Sequence, residues 1–275
     1  MKFKAILILI FCLKAQSAVY GVDDRLEYYE IQDSITADYS KSVAAMFNND
    51  SLLDKGQYYK LIGGSLRSKN FCRSHPFSTQ PSIAECSGFL ISPNKILTSS
   101  LCVKNTRDCS NNSWVFEYRK KTKYQNQFNF KKNEIFKCVK VERASLLSNF
   151  KRSYSIIHLD REVKDIAALE IDATTKIVEG SEVYMLGYPH GLPMKFSQDG
   201  VITKTYRYSA TSTIDTAKTN AGSPIFDKYS NKVIGIYHKG PKDYKMQETC
   251  KEPSKALPKH KKDYFIKLKG FELKD

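Results

Sequence analysis

The sequence predicts an all-β protein, either a sandwich or a pair of barrels. Two observations carry this. From Glu85 onward, short apolar runs of strand type recur, among them Gly88-Phe89-Leu90-Ile91, Lys95-Ile96-Leu97-Thr98, Trp114-Val115-Phe116 and Lys232-Val233-Ile234-Gly235-Ile236. Polar turns such as Ser92-Pro93-Asn94 and Tyr188-Pro189-His190-Gly191 separate them, and helical periodicity is sparse. A hydrophobic content of 41% with 12% aromatic residues is enough to build cores and argues against disorder.

Residues 1–18 read as a secretory signal. Lys2 and Lys4 begin it, Ala5 to Leu13 form its apolar stretch, and Ala15-Gln16-Ser17-Ala18 supplies small residues for cleavage. The apolar stretch is about half of the roughly 20 residues a membrane-spanning helix needs. Later segments are too polar to span, so the mature chain is expected to be secreted or periplasmic with no transmembrane segment. Loss of Lys2, Lys4 and Lys14 takes the net charge from +15 to +12.

Residues 19–65 are expected to be an N-terminal lead or pro-segment. Its run Ser42-Val43-Ala44-Ala45-Met46-Phe47 is apolar enough to dock on the body. Residues 66–275 are assigned to the main domain, with a tail over 251–275. In that tail Tyr264-Phe265-Ile266-Lys267-Leu268 suits a last strand or a short helix.

Six cysteines remain after the signal: Cys72, Cys86, Cys102, Cys109, Cys138 and Cys250. An even number in an exported chain points to disulfides. No Cys-x-x-Cys pair is present, and the reading expects no metal and no cofactor. Basic clusters at Arg119-Lys120-Lys121-Thr122-Lys123, Lys131-Lys132 and Lys259-His260-Lys261-Lys262 make an anionic polymer a candidate partner. No aromatic–basic binding module accompanies these clusters, which argues against nucleic acid.

Residues 86–103, residues 153–161, and residues 187–193 with 219–224 together resemble the trypsin-like serine proteases, in particular the bacterial glutamyl-endopeptidase branch. Cys86-Ser87-Gly88-Phe89-Leu90-Ile91 followed by Leu97-Thr98-Ser99-Ser100-Leu101-Cys102-Val103 resembles the stretch around that family's general-base histidine. Ser153-Tyr154-Ser155-Ile156-Ile157-His158-Leu159-Asp160-Arg161 resembles the stretch opened by its aspartate. Gly187-Tyr188-Pro189-His190-Gly191-Leu192-Pro193, then Thr219-Asn220-Ala221-Gly222-Ser223-Pro224, resembles the approach to its nucleophile loop. The resemblance covers about residues 70–250. It implies two six-stranded antiparallel β-barrels, at about 66–165 and 166–250, with a cleft between them.

It also implies a Cys86–Cys102 disulfide. The pairs Cys109–Cys138 and Cys72–Cys250 complete one of the remaining arrangements. At the three places where the family carries its histidine, aspartate and serine, this chain has Leu101, Ser153 and Ala221. A rival register puts Asp165, in Asp165-Ile166-Ala167-Ala168-Leu169, at the acid position. Spacing favours Ser153: 33 residues separate it from Gly187, against 21 for Asp165.

Serine-type hydrolysis needs a nucleophile, a base within hydrogen-bond reach and a group to orient the base. Leu101, Ser153 and Ala221 meet none of these needs together. Thr219 stands where the family places an oxyanion-loop glycine, ahead of Asn220 and Gly222. The strand that would hold substrate carries Tyr237, His238 and Lys239, with Tyr237 where the glutamate-preferring branch has histidine. The expectation is therefore a protease homologue that does not cleave and that binds protein or peptide. Residual hydrolysis through Ser223 is the alternative.

Overall fold

The computed structural model describes residues 19–20, 23–143, 153–240, 244–253, 255–256 and 263–273. Twelve strands form two closed antiparallel barrels. The first consists of β1 (Val43–Asn48), β2 (Cys86–Ser92), β3 (Lys95–Ser99), β4 (Asn112–Val115), β5 (Phe136–Arg143) and β6 (Tyr154–Leu159), in the closed order β5-β6-β3-β2-β1-β4. The second consists of β7 (Glu182–Gly187), β8 (Lys195–Thr205), β9 (Ser209–Ser212), β10 (Pro224–Asp227), β11 (Val233–Lys239) and β12 (Asp263–Lys267). Its order is β7-β10-β11-β12-β9-β8, closed by β7 on β8.

Each barrel is filled by alternate residues of its own strands, as the two-residue period of a strand requires. Ala44, Met46, Cys86, Leu90, Ile96, Trp114, Phe136 and Ile157 fill the first. Val183, Met185, Ile202, Ala210, Ile225, Ile234 and Phe265 fill the second. The opposite faces of several strands meet between the barrels, where Val43, Phe89, Leu97, Leu186, Tyr188, Phe226 and Ile236 share one cluster. The Tyr188 hydroxyl crosses this layer and donates to the Val43 carbonyl at 2.8 Å.

Two expected boundaries move. β1 lies inside the stretch read as a lead, yet it pairs with both β2 and β4, so the first barrel closes only with it. Leu26–Glu27 of the same stretch adds to β8. The tail likewise supplies β12, a strand seated between β11 and β9. The strand Val43–Asn48 was missed because it is a short apolar run outside the motif-bearing region. The run at 264–268 supplies the last strand, Asp263–Lys267, one of the two forms its sequence suits, and belongs to the barrel rather than to a tail. Residues 1–18 lie outside the described residues. Among the described residues no helix is long and apolar enough to cross a membrane.

Three disulfides are present: Cys86–Cys102, Cys109–Cys138 and Cys72–Cys250. The first two brace the first barrel. By the chain-entropy argument, closing a ring the size of Cys86–Cys102 stabilises by about 3 kcal/mol.

A buried ion pair pins the N-terminal stretch to the second barrel. Lys195 Nζ donates to Glu27 Oε2 at 2.9 Å, to Gln80 Oε1 at 3.0 Å and to the Pro193 carbonyl at 2.8 Å. All three ammonium hydrogens are thereby placed, which is the condition for tolerating a buried charge.

Candidate functional site

The candidate site lies where the loop before β10 meets the end of β3 and the start of β6. Gly222 positions the loop. Its φ of +91° is readily open only to glycine, and a Cβ there would overlap the Ser87 carbonyl oxygen and Thr98 Oγ1. The Gly222 amide donates to the Tyr237 carbonyl at 2.8 Å, and the Tyr237 amide donates to the Ser223 carbonyl at 2.9 Å. The loop is thus stitched to β11 on one side. On the other, the Ala221 carbonyl accepts from the Ser87 amide at 2.9 Å.

Ala221 is buried and packs with the first-barrel cluster that includes Cys86 and Cys102. Cys102 Sγ lies 3.3 Å from the Ala221 carbonyl oxygen. Leu101, adjoining Cys102, is 46% exposed and presents an aliphatic side chain at the surface beside this loop. Ser153 sits next to it: its carbonyl accepts from the Ser100 amide at 2.9 Å, just before Tyr154 pairs with Ser99. Leu101, Ser153 and Ala221 therefore converge on one region. Asp165 does not join them. It is exposed, has a φ of +63°, and belongs to the connection that leaves the first barrel.

Residues Lys218–Asn220 form a 3-10 turn. The Ala221 amide is directed back at the Lys218 carbonyl, 3.5 Å away. A long contact of this kind is weak as a hydrogen bond. Its direction matters more, because the carbonyl oxygen stands in front of an amide that would have to face a developing oxyanion. Thr219 is held by its hydroxyl, which donates to the Tyr188 carbonyl and accepts from the Gly191 amide, both at 2.6 Å. The sequence signal for this was the β-branched residue in place of glycine.

Ser223 is fully buried, and a Cβ on Gly187 would overlap its hydroxyl. It faces the second barrel rather than solvent. His238 was placed by the sequence on the substrate strand. It is 5% exposed, and its Nδ1 lies 2.9 Å from Ser99 Oγ. The Ser99 hydroxyl also accepts from the Leu101 amide at 3.3 Å. Burial, and then the charge of Lys239, push His238 down to about 4, so the imidazole is neutral at pH 7. Ser99 is fully buried as well. Of the other histidines, His158 pairs with Glu142 at 2.9 Å, and His190 takes a φ of +54° in its turn.

Behind β11, the Tyr237 ring turns into the second barrel. Its hydroxyl donates to Asp263 Oδ1 at 3.0 Å and lies 3.2 Å from Thr216 Oγ1, and Thr216 donates to Asp263 Oδ1 at 2.6 Å. Gly240 lies against this group, since a Cβ there would overlap Asp263 Oδ1 and crowd the Tyr237 hydroxyl. The space beside the strand end thus holds a phenol and a carboxylate. Lys239 remains exposed. Among the described residues, no group of three or more His, Cys, Asp or Glu side chains is arranged to hold a metal ion.

The basic runs resolve differently from a solvated fringe. Arg119 is buried, pairs with Glu117 at 2.8 Å and lies over the Tyr28 ring. Lys120 is 4% exposed and donates to the Lys123 carbonyl at 2.8 Å. Lys121 pairs with Glu117, and Lys132 with Asp54. The run 259–262 lies outside the described residues.

A family model for the trypsin-like peptidase domain matches residues 86–236. The chain belongs to that family. Among solved structures it is similar to a Glu endopeptidase in complex with MPD, at a TM-score of 0.55 and 19% identity, over 91% of this chain and 94% of that one. It is also similar to human heparin binding protein, at a TM-score of 0.50 and 11% identity, over 83% of this chain and 86% of that one. At these identities the likeness shows the two-barrel fold. No curated protein matches the sequence significantly.

Proposed function

We propose that the chain is an exported, catalytically inactive member of the trypsin-like peptidase family that acts by binding protein or peptide. The observation that carries the reading is Ala221. It occupies the nucleophile place of the loop, and its amide faces the Lys218 carbonyl instead of an open hole. Leu101 and Ser153 beside it supply neither a base nor a partner for one. Removing a triad costs about 10⁶ in rate, and one oxyanion donor costs about 10²–10³ more. The competing reading, hydrolysis through Ser223, meets a hydroxyl with no exposure.

Binding is proposed at the end of β11. An extended peptide would lie along His238–Gly240 in the manner of an added strand. Tyr237 already spends its amide and carbonyl on Ser223 and Gly222, so its contribution is to shape the strand. With Tyr237 and Asp263 occupying the adjoining space, an acidic side chain is disfavoured there. Glutamate specificity, which the Glu endopeptidase's name states for that protein, is accordingly not carried over.

A fluorophosphonate serine-hydrolase probe tests the inactivity. Labelling of the native protein that disappears on heat denaturation would overturn it. Hydrogen exchange in the presence of a bound library peptide tests the site. Protection is expected at His238–Gly240, and protection confined elsewhere would refute the placement.

A further inference from the structure

The hairpin joining β8 to β9 carries the run Lys204-Thr205-Tyr206-Arg207-Tyr208, and the end of β12 lies beside it. The Tyr206 amide donates to the Ser209 carbonyl at 2.8 Å, which makes the turn tight. The Lys267 amide donates to the Tyr208 carbonyl at 3.0 Å, which fixes β12 against it. This brings Lys204, Arg207, Lys267 and Lys269 onto one end of the second barrel, interleaved with Tyr206, Tyr208 and Tyr264. Tyr206 is 42% exposed, and its ring centroid is 6.3 Å from that of Tyr264. Lys267 Nζ donates to the Tyr206 carbonyl.

The four cations of the patch differ from several exposed lysines elsewhere in having no ion-pair partner among the described residues. Lys121, Lys132, Lys228 and Lys232 are each paired with a carboxylate. Among the described residues no carboxylate pairs with Lys204, Arg207, Lys267 or Lys269. An acid does touch the run: Glu179 accepts from the Thr205 amide at 3.3 Å. Burial and the neighbouring Lys269 both hold the Lys267 ammonium below its usual range, the condition of a cation among cations.

We propose that this end of the second barrel is a binding site for an acidic polysaccharide, a polymer of saturated rings bearing sulfate or carboxylate groups. The choice over single-stranded nucleic acid rests on the tyrosine faces. Lys204 lies over Tyr206 at 5.6 Å, and Arg207 lies over Tyr208 at 5.1 Å. The chain's own cations cover one face of each ring, which leaves less of it for a base to stack on. Anionic groups on a saturated ring need only the cations. The three disulfides fit an oxidising compartment, where such polymers occur. The site adjoins the strand end proposed for peptide, since Tyr264 is the register partner of Lys239, but its four cations lie outside that segment and the proposal does not depend on it.

The experiment measures binding of the purified protein to dextran sulfate, with neutral dextran and a thirty-nucleotide oligothymidylate as further arms. Dextran sulfate is expected to bind, with affinity falling as salt rises to a log–log slope of at most about 4 for four cations. K204Q/R207Q/K267Q/K269Q should bind at least tenfold more weakly. K121Q/K132Q/K228Q/K232Q removes the same charge from paired lysines and should bind within about twofold of the parent. R207A alone, in an exposed turn, should lose about threefold and guards against misfolding of the quadruple variant. Equal loss in the two quadruple variants would reduce the effect to net charge and overturn the site. Tighter binding of oligothymidylate through the same four residues would replace the ligand class, and no binding of any polyanion would end the proposal.

Discussion

The hydroxyl of Ser99 meets Nδ1 of His238 across 2.9 Å, with both residues sealed from solvent. A serine and a neutral histidine in contact resemble half of a catalytic machine. Here neither reaches a cleft, and the pair ties β3 of one barrel to β11 of the other. His238→Ala is expected to destabilise by about 2 kcal/mol through a lost hydrogen bond and the cavity left behind. A shift in denaturation midpoint, with probe labelling unchanged at background, checks this.

Restoring the missing nucleophile should not restore chemistry. Ala221→Ser leaves Leu101 without a basic atom and the Ala221-position amide facing Lys218. The variant is expected to stay unlabelled by a fluorophosphonate under conditions that label an active relative. Leu101→His with Ala221→Ser is the stricter test, and it too is expected to remain at least about 10²-fold below a competent enzyme because of the closed hole.

The stability profile with pH should be a dome. Burial, then the charge of Arg25, lowers His75 to about 4; burial, then Lys239, lowers His238 to about 4; and burial lowers His190 as well. Between about pH 4 and 6.5 the unfolded chain binds more protons at these histidines, so they make stability rise with pH. Asp215 has the opposite sign. Burial, with Asp24 and Asp23 nearby, raises it to about 8, so the folded chain holds an extra proton from about pH 4 to 8. The histidines outweigh it below 6.5 and it dominates from there toward 8, where Lys195, lowered to about 8 by burial, begins to oppose it. The melting temperature is expected to peak near pH 6.5 and fall toward 8. Asp215→Asn should abolish the alkaline fall while keeping the acid side.

Gly222→Ala should cost about 3 kcal/mol, from a positive φ and an overlap with the Ser87 carbonyl. Since Gly222 also stitches the loop to β11, hydrogen exchange at Tyr237 should rise in the same variant.

Lys195→Ala strands Glu27 in the interior and is expected to cost about 3–5 kcal/mol. Lys195→Met with Glu27→Gln should recover most of that loss in a denaturant titration. An unchanged midpoint in the single variant would contradict the role given to the pair.

The β2–β3 hairpin of the first barrel was legible because Cys86, Gly88, Leu97 and Cys102 occupy places where covalent bonding and close packing allow few residues. The strand Val43–Phe47 escaped because small apolar residues next to no turn signal look like any docked peptide. Lys120 read as surface because charge patterning sees residue type alone. Its enclosure by Tyr29 and the Lys123 carbonyl exists only after folding. The Ser99–His238 contact joins residues far apart in the chain, and the turn at Lys218–Asn220 depends on peptide orientation, which sequence does not encode locally. The hairpin cations were written plainly as Lys204-Thr205-Tyr206-Arg207-Tyr208, yet their grouping with Lys267 and Lys269 needed β12 beside them.

The bond between Cys72 and Cys250 bridges 178 positions. Every backbone cut between those two cysteines leaves a single covalent molecule. A protease that nicks an exposed loop of either barrel there releases no fragment, and the nick shows on a gel only after reduction. Such a chain outlasts a single cut as one molecule for as long as that bond stays oxidised.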